Sequence, residues 1–284
     1  MQLDHVTLAV RDLARSVRFY SEVIGLEPLA SPTGDGLEPL ASATGGGLEP
    51  LASPTGGGLE PLASATGGAT LGIDGRPRLD LVERPNGEPR GDRAGLFHVA
   101  WLLASRAHLG AALARLAAAG SRLTGAADHH VSEAVYLDDP DGHGIELYAD
   151  RPEATWRQDG RIVMTNSRLD LDDLGRAATA AGLEAEASTR GATLGHLHLE
   201  ATDLAASRRF AVEELGLELQ ADWPHAAFLA WRGYHHHLAY NDWNNRSRPL
   251  DPDADSLGLI HIRLKSDRPS RTLTDPNGIR FELA

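Results

Sequence analysis

The chain has 284 residues, 42% hydrophobic and 24% charged, an ordinary globular composition that excludes a disordered or fibrous protein. Its 27 basic and 40 acidic side chains leave a net charge of −13, which repels phosphate backbones and anionic lipid, so no nucleic-acid and no membrane partner is expected. The absence of cysteine excludes a disulfide framework, a thiolate nucleophile and a zinc–thiolate site. The opening MQLDHVTLAVRDL lacks the basic start and apolar run of a signal peptide, and no apolar stretch reaches membrane-spanning length, so a cytoplasmic location is expected.

Residues 3–10 alternate and are rich in β-formers, which predicts a strand. Asp12 then caps a helix over Leu13 to Ile24 that Gly25 ends. Residues 25–68 repeat one 11-residue unit four times, GLEPLASPTGD and its near copies, with Pro and Ala alternating at Pro32, Ala43, Pro54 and Ala65. Pro and Thr-Gly-Gly in every unit rule out a continuous helix. Two leucines per unit bury too little for a free-standing solenoid, so the repeat reads as a projecting or mobile insertion in a hairpin. Strands are predicted at 69–73 and 78–82, giving the order βαβββ.

The order restarts at Gly95, with a strand at 96–101, a Ser105-capped helix over about 106–119, and strands near 121–124, 134–137 and 144–148. Residues 151–192 read as a linker with one helix over Leu171 to Ala181. The opening motif then returns, with Leu194-Gly195-His196-Leu197-His198-Leu199 set against Leu3-Asp4-His5-Val6-Thr7-Leu8. A fourth module begins at Gly258-Leu259-Ile260-His261-Ile262 and ends at Asp275 to Glu282, matching Asp139 to Glu146. Between Ile262 and Thr274 a helix and a strand have no room, so this module is truncated. The expected architecture is α+β: tandem βαβββ modules paired in chain order into a first domain at 1–150, with the insertion at 25–68, and a second at 193–284.

His5, His98 and Glu146 stand at matched places in the first domain. Two imidazoles and a carboxylate on one face leave adjacent coordination positions open, as in non-haem Fe(II) oxygenases, although Mn, Ni or Zn suit the same donors. A lone strand histidine is usually a packed or surface residue; recurrence in a repeated module is what argues for ligands.

The motifs LDHVTLAVRDL, GLFHVAW, HHVSEAVYLDDPDGHGIELYADRP, GHLHLEATDL and GYHHHLAYNDW resemble the vicinal oxygen chelate superfamily, which holds glyoxalases, bleomycin-resistance proteins and extradiol dioxygenases. Within it the chain is most similar to the two-domain bacterial catechol-2,3-dioxygenase proteins. The resemblance implies a metal on His5, His98 and Glu146, Fe(II) first and Mn(II) second, with Tyr136, ten residues before the Glu, near the substrate and His129 and His130 as acid–base candidates. The implied partners are a small aromatic diol and dioxygen, and the implied reaction is ring opening beside the two hydroxyls. Well-known extradiol members keep the metal in the second domain, where His196, His261 and Glu282 provide an alternative; the truncated module favours domain one. Modules pair between chains in some members, which leaves a homodimer open.

In Tyr234-His235-His236-His237, strand alternation would send His235 and His237 to one face, so Tyr234, His235 and His237 are pocket candidates beside a reading as a solvated tract. Trp223, Trp231 and Trp243 read first as core. Two other functions remain open: a glyoxalase-type lyase or isomerase, which would want a fourth protein ligand, and a metal-free binding or resistance protein.

Overall fold

The computed structural model describes residues 1–29, 67–251 and 254–284. The elements run β1 (Gln2–Val10), α1 (Leu13–Arg18, continuing as a wider π-type turn over Phe19–Ile24), β2 (Glu27–Leu29), β3 (Gly68–Ile73) and β4 (Arg76–Glu83). Then come β5 (Gly95–Leu102), α2 (Arg106–Ala118), β6 (Gly125–Asp128), β7 (Ser132–Asp138) and β8 (Gly144–Asp150). The linker holds β9 (Arg157–Gln158), β10 (Arg161–Ile162) and α3 (Leu171–Ala181). The third module is β11 (Thr193–Glu200), α4 (Leu204–Glu213), β12 (Glu218–Trp223), β13 (Ala226–Ala230) and β14 (Leu238–Asn241), and the last is β15 (Gly258–Lys265), β16 (Arg271–Thr274) and β17 (Arg280–Leu283).

Local chemistry accounts for the helices. Asp12, Ser105, Asp170 and Asp203 each accept a hydrogen bond from a backbone N–H in the first turn, and Gly25 and Gly182 close α1 and α3 in the left-handed conformation. No helix joins β15 to β16, as the short spacing there predicts. The strand expected near 121–124 instead lies at 125–128, because Gly120 and Ser121 are spent closing α2 onto Ala117 and Leu116. None of the described helices is long and apolar enough to cross a membrane.

The four modules share two curled sheets, and the pairing departs from chain order. One sheet runs β16-β17-β15-β1-β4-β3-β2 and the other β12-β13-β14-β11-β5-β8-β7-β6. The first module therefore sits with the fourth, the second with the third, and the sheets cut across the division at 1–150 and 193–284. The junctions are the antiparallel pairs β1–β15 and β11–β5. A fully buried cluster draws on both sheets, from Val6, Leu8 and Val10 of β1 through Val99 and Trp101 of β5 to Leu197 and Leu199 of β11. Because side chains alternate along a strand, His5 and Thr7, His98 and Ala100, and His196 and His198 turn to the opposite, concave faces. The repeat connects β2 to β3, whose Leu29 and Thr70 pair at the sheet edge; its reading as a projecting insertion falls almost wholly outside the described residues.

Candidate metal centre

In the second-with-third sheet, β5 and β11 are antiparallel with His98 opposite His198 and His196 opposite Ala100, while β8 lies parallel to β5 with Glu146 beside Ala100. This register brings His98, His196 and Glu146 together, and small Ala100 leaves the floor clear. Their Nε2, Nε2 and Oε2 atoms form a triangle with edges of 3.3 Å between the imidazoles, 2.9 Å from His98 to Glu146 and 3.1 Å from His196 to Glu146. Two donors at right angles, each about 2.1 Å from a cation, stand about 3.0 Å apart, so the triangle fits one face of an octahedron. Among the described residues this is the group of three whose donors converge enough to hold a metal ion.

Burial sets the protonation. It lowers His196 to about 4, with Glu146 opposing and His98 adding to the effect. Burial alone would raise Glu146, but His196 and His98, as charges and as hydrogen-bond partners, hold it well below the usual carboxylate range. A neutral imidazole beside an ionised carboxylate is the state that a divalent cation requires. The Nδ1 atom of His196 is buried without a hydrogen-bond partner, its ring lying between Tyr148 and His236 at centroid distances of 4.8 and 4.1 Å.

The triad opens on a cavity of about 380 Å³ walled by Phe97, Phe228, Trp223 and Trp243. Tyr136 reaches it from β7, directly opposite Glu146 in the ladder. Burial, then Glu146, pushes its phenol well above the ordinary value, so it stays protonated. Its hydroxyl donates to His129 Nε2 at 2.7 Å, because His129 Nδ1–H is committed to the Thr165 carbonyl at 2.9 Å. His198 and His236 also line the cavity, and burial holds both well below the usual histidine range.

Several predicted site residues lie elsewhere. His5 is not with His98 and Glu146: β1 takes β15 rather than β5 as its antiparallel neighbour, so His5 faces the other sheet's hollow, its Nε2 2.7 Å from Asp80. The alternative set is also divided, because His196 belongs to the triad above while His261 and Glu282 share that other hollow, 3.5 Å apart. There Arg263 occupies the place that Ala100 has in the first sheet, its guanidinium 3.6 Å from Glu282. The Glu282 side chain is 37% exposed against 3% for Glu146, the open side that the truncated module predicts. His130 is a turn residue with φ of 69°, its Nε2 bound to the Thr155 carbonyl.

The Tyr234 run is a loop rather than a strand, with Arg232 and Gly233 both in the left-handed region, so alternation fails and His236, not His235 or His237, lines the cavity. Tyr234 donates to Asp150 at 3.2 Å, His235 Nε2 meets the same carboxylate oxygen at 2.9 Å, and His237 Nδ1 accepts the Trp231 backbone N–H at 3.3 Å. Trp231 packs in the core, donating its indole N–H to the Leu215 carbonyl, whereas Trp223 and Trp243 wall the pocket. His198, His236 and Phe97 carry no sequence signal beyond their place on the triad's strands or in the histidine run.

Residues 2–147 match the family described as Glyoxalase/Bleomycin resistance protein/Dioxygenase superfamily. The catechol-2,3-dioxygenase of Bacillus subtilis (strain 168) is 36% identical over 258 residues, spanning 88% of this chain and 78% of that protein. Among solved structures, a putative dioxygenase from Bacillus subtilis superposes with a TM-score of 0.57 at 12% identity, covering 100% of this chain and 84% of that one. Glyoxalase I from Zea mays gives 0.54 at 14% identity, covering 99% and 91%. At such identities these two report on the fold.

Proposed function

Since the chain belongs to the Glyoxalase/Bleomycin resistance protein/Dioxygenase superfamily, we propose that it is an extradiol dioxygenase, opening a catechol-type ring beside its two hydroxyls with iron held by His98, His196 and Glu146. The observation that carries this reading is the buried triangle of two imidazoles and one carboxylate at the floor of an aromatic-walled cavity. The 36% identity to a catechol-2,3-dioxygenase supports it. A metal-dependent lyase would want a fourth donor, and the described cluster contains three.

Bound Fe(II) would supply the redox chemistry that links an electron-rich ring to dioxygen, a reaction the side chains cannot perform. The protein's part is positioning, shielding and proton handling. Phe97, Phe228, Trp223 and Trp243 offer faces and edges to an aromatic ring, and about 380 Å³ suits a single-ring diol. Tyr136, protonated and anchored on His129, presents its hydroxyl oxygen as an acceptor for a substrate O–H, and His129 Nε2 can receive a proton relayed through Tyr136. His236, neutral and facing the cavity, is placed to accept a phenolic proton.

Anaerobic reconstitution with Fe(II), followed by catechol and oxygen, tests the reading. Stoichiometric oxygen uptake with a coloured ring-opened product is expected; no uptake across a panel of substituted catechols refutes it.

A further inference from the structure

The face of β8 that presents Glu146 also presents Tyr148 and, at its end, Asp150. Asp150 is remote from the triad and has no part in the reading above, yet two polar groups converge on its Oδ1: the Tyr234 hydroxyl at 3.2 Å and His235 Nε2 at 2.9 Å. Tyr148 extends the set through a 2.9 Å contact with the Tyr234 hydroxyl. The His235 ring is completely buried, enclosed by Trp156 and Tyr234 at centroid distances of 5.0 and 4.0 Å. Its second nitrogen, Nδ1, lies 2.7 Å from Nδ1 of His236. His236 in turn packs on the ligand His196 and lines the cavity. A continuous polar line thus runs from a carboxylate whose side chain is 24% exposed, through two buried imidazoles, to the cavity wall.

Hydrogen-bond direction along this line follows from the acceptor at its outer end. An ionised carboxylate only accepts, so His235 donates from Nε2, and a neutral His235 is left with Nδ1 as an acceptor. His236 must then donate from Nδ1, which leaves its Nε2 without a proton. Among the described residues the His236 ring has one hydrogen bond, the one at Nδ1. We propose that Asp150 and His235 are positioning residues that fix the tautomer of His236, so that a bare ring nitrogen faces the cavity as a hydrogen-bond acceptor for a ligand hydroxyl. That the hydroxyl belongs to a catechol rests on the function proposed above; the tautomer does not. The indole N–H of Trp156, bound to the Arg151 carbonyl at 2.8 Å, holds the outer end of the line against the linker.

The test separates the two. The full chain, labelled with ¹⁵N at histidine and loaded with zinc as a diamagnetic ion, is studied by long-range ¹H–¹⁵N correlation, which reports the protonated nitrogen of each ring; H236Q identifies the signal. The expected result is His236 protonated at Nδ1 and bare at Nε2 in the parent, with the proton shifted toward Nε2 in D150A and in H235F, while metal content stays the same. Anaerobic catechol binding to the iron-loaded D150A protein should weaken about tenfold, the effect of losing one hydrogen bond. A parent His236 protonated at Nε2, or a tautomer unmoved in both variants, overturns the proposal. Correct tautomers in a parent that binds no catechol support the positioning role and refute the catechol reading instead.

Discussion

Each triad residue is buried with its polar atom against those of the other two. Glu146 is 2% exposed and faces two imidazoles, so replacing any one of the three leaves a buried, unmatched remainder. H98A, H196A and E146A should each reduce metal affinity by more than the roughly 10–100-fold typical of losing an outer-sphere partner, whereas H5A and H261A should retain metal at parent stoichiometry. Elemental analysis of the dialysed proteins decides it, and equal loss in H5A would return His5 to the site. Tyr136→Phe should keep the metal and reduce kcat/KM about tenfold or more, as expected for one hydrogen bond aimed at substrate. Burial also predicts a pH response: His196 and His237 are both depressed to about 4 from 6.5. Unfolding lets them bind protons that the native state refuses, so their contribution is intact above pH 6.5 and is lost as pH falls from 6.5 toward 4. The Tm of the metal-free protein should therefore drop between pH 7 and pH 5; a flat profile contradicts it.

At the scale of the element, the sequence carries most of the architecture in local signals. Asp170 and Gly182 bracket α3 where the capping pattern puts it, and the DPDG and DPNG turns mark β8 and β17. His98 and Glu146 are legible because they recur at matched places of a repeated module. His196 was legible as a ligand type but not as their partner, since whether β5 joins β1 or β11 is decided by packing between segments about a hundred residues apart. The two openings LDHVTL and LGHLHL match almost equally well. His236 escaped the periodicity argument because its segment is not periodic. Gly144 shows how tightly β5 and β8 meet: a Cβ there would lie 2.2 Å from the Phe97 carbonyl oxygen. G144A should cost about 1–3 kcal/mol in denaturant unfolding and loosen His98, so metal affinity should fall with stability. Shortening the repeat from four units to one alters a connection at the far edge of the other sheet, and metal content should not change.

Over the whole molecule, two hollows of like register have diverged. One keeps Ala100 beneath a buried triad; the other places Arg263 there, so a guanidinium stands by Glu282 while His5 is drawn to Asp80. The module pairing makes the triad depend on both halves of the chain, and a fragment of residues 1–150, holding His98 and Glu146 without His196, should bind no metal tightly and expose the bare edges of β1 and β5 to aggregation. Size-exclusion chromatography and metal analysis of that fragment check both statements.

The same pairing gives the chain the logic of nested brackets. The inner pair is complete in sequence by Asn241, so all three triad residues precede residues 258–284 in the chain. The strand made first, β1, waits longest for its second neighbour, since β15 is among the last to emerge. Gln2 pairs with Lys265 and Leu264 with Leu283, so β15 alone separates the first strand from the last. A short linker over β15 from the last strand to the first, with new termini opened in the β2–β3 connection, would preserve every strand pair in both sheets.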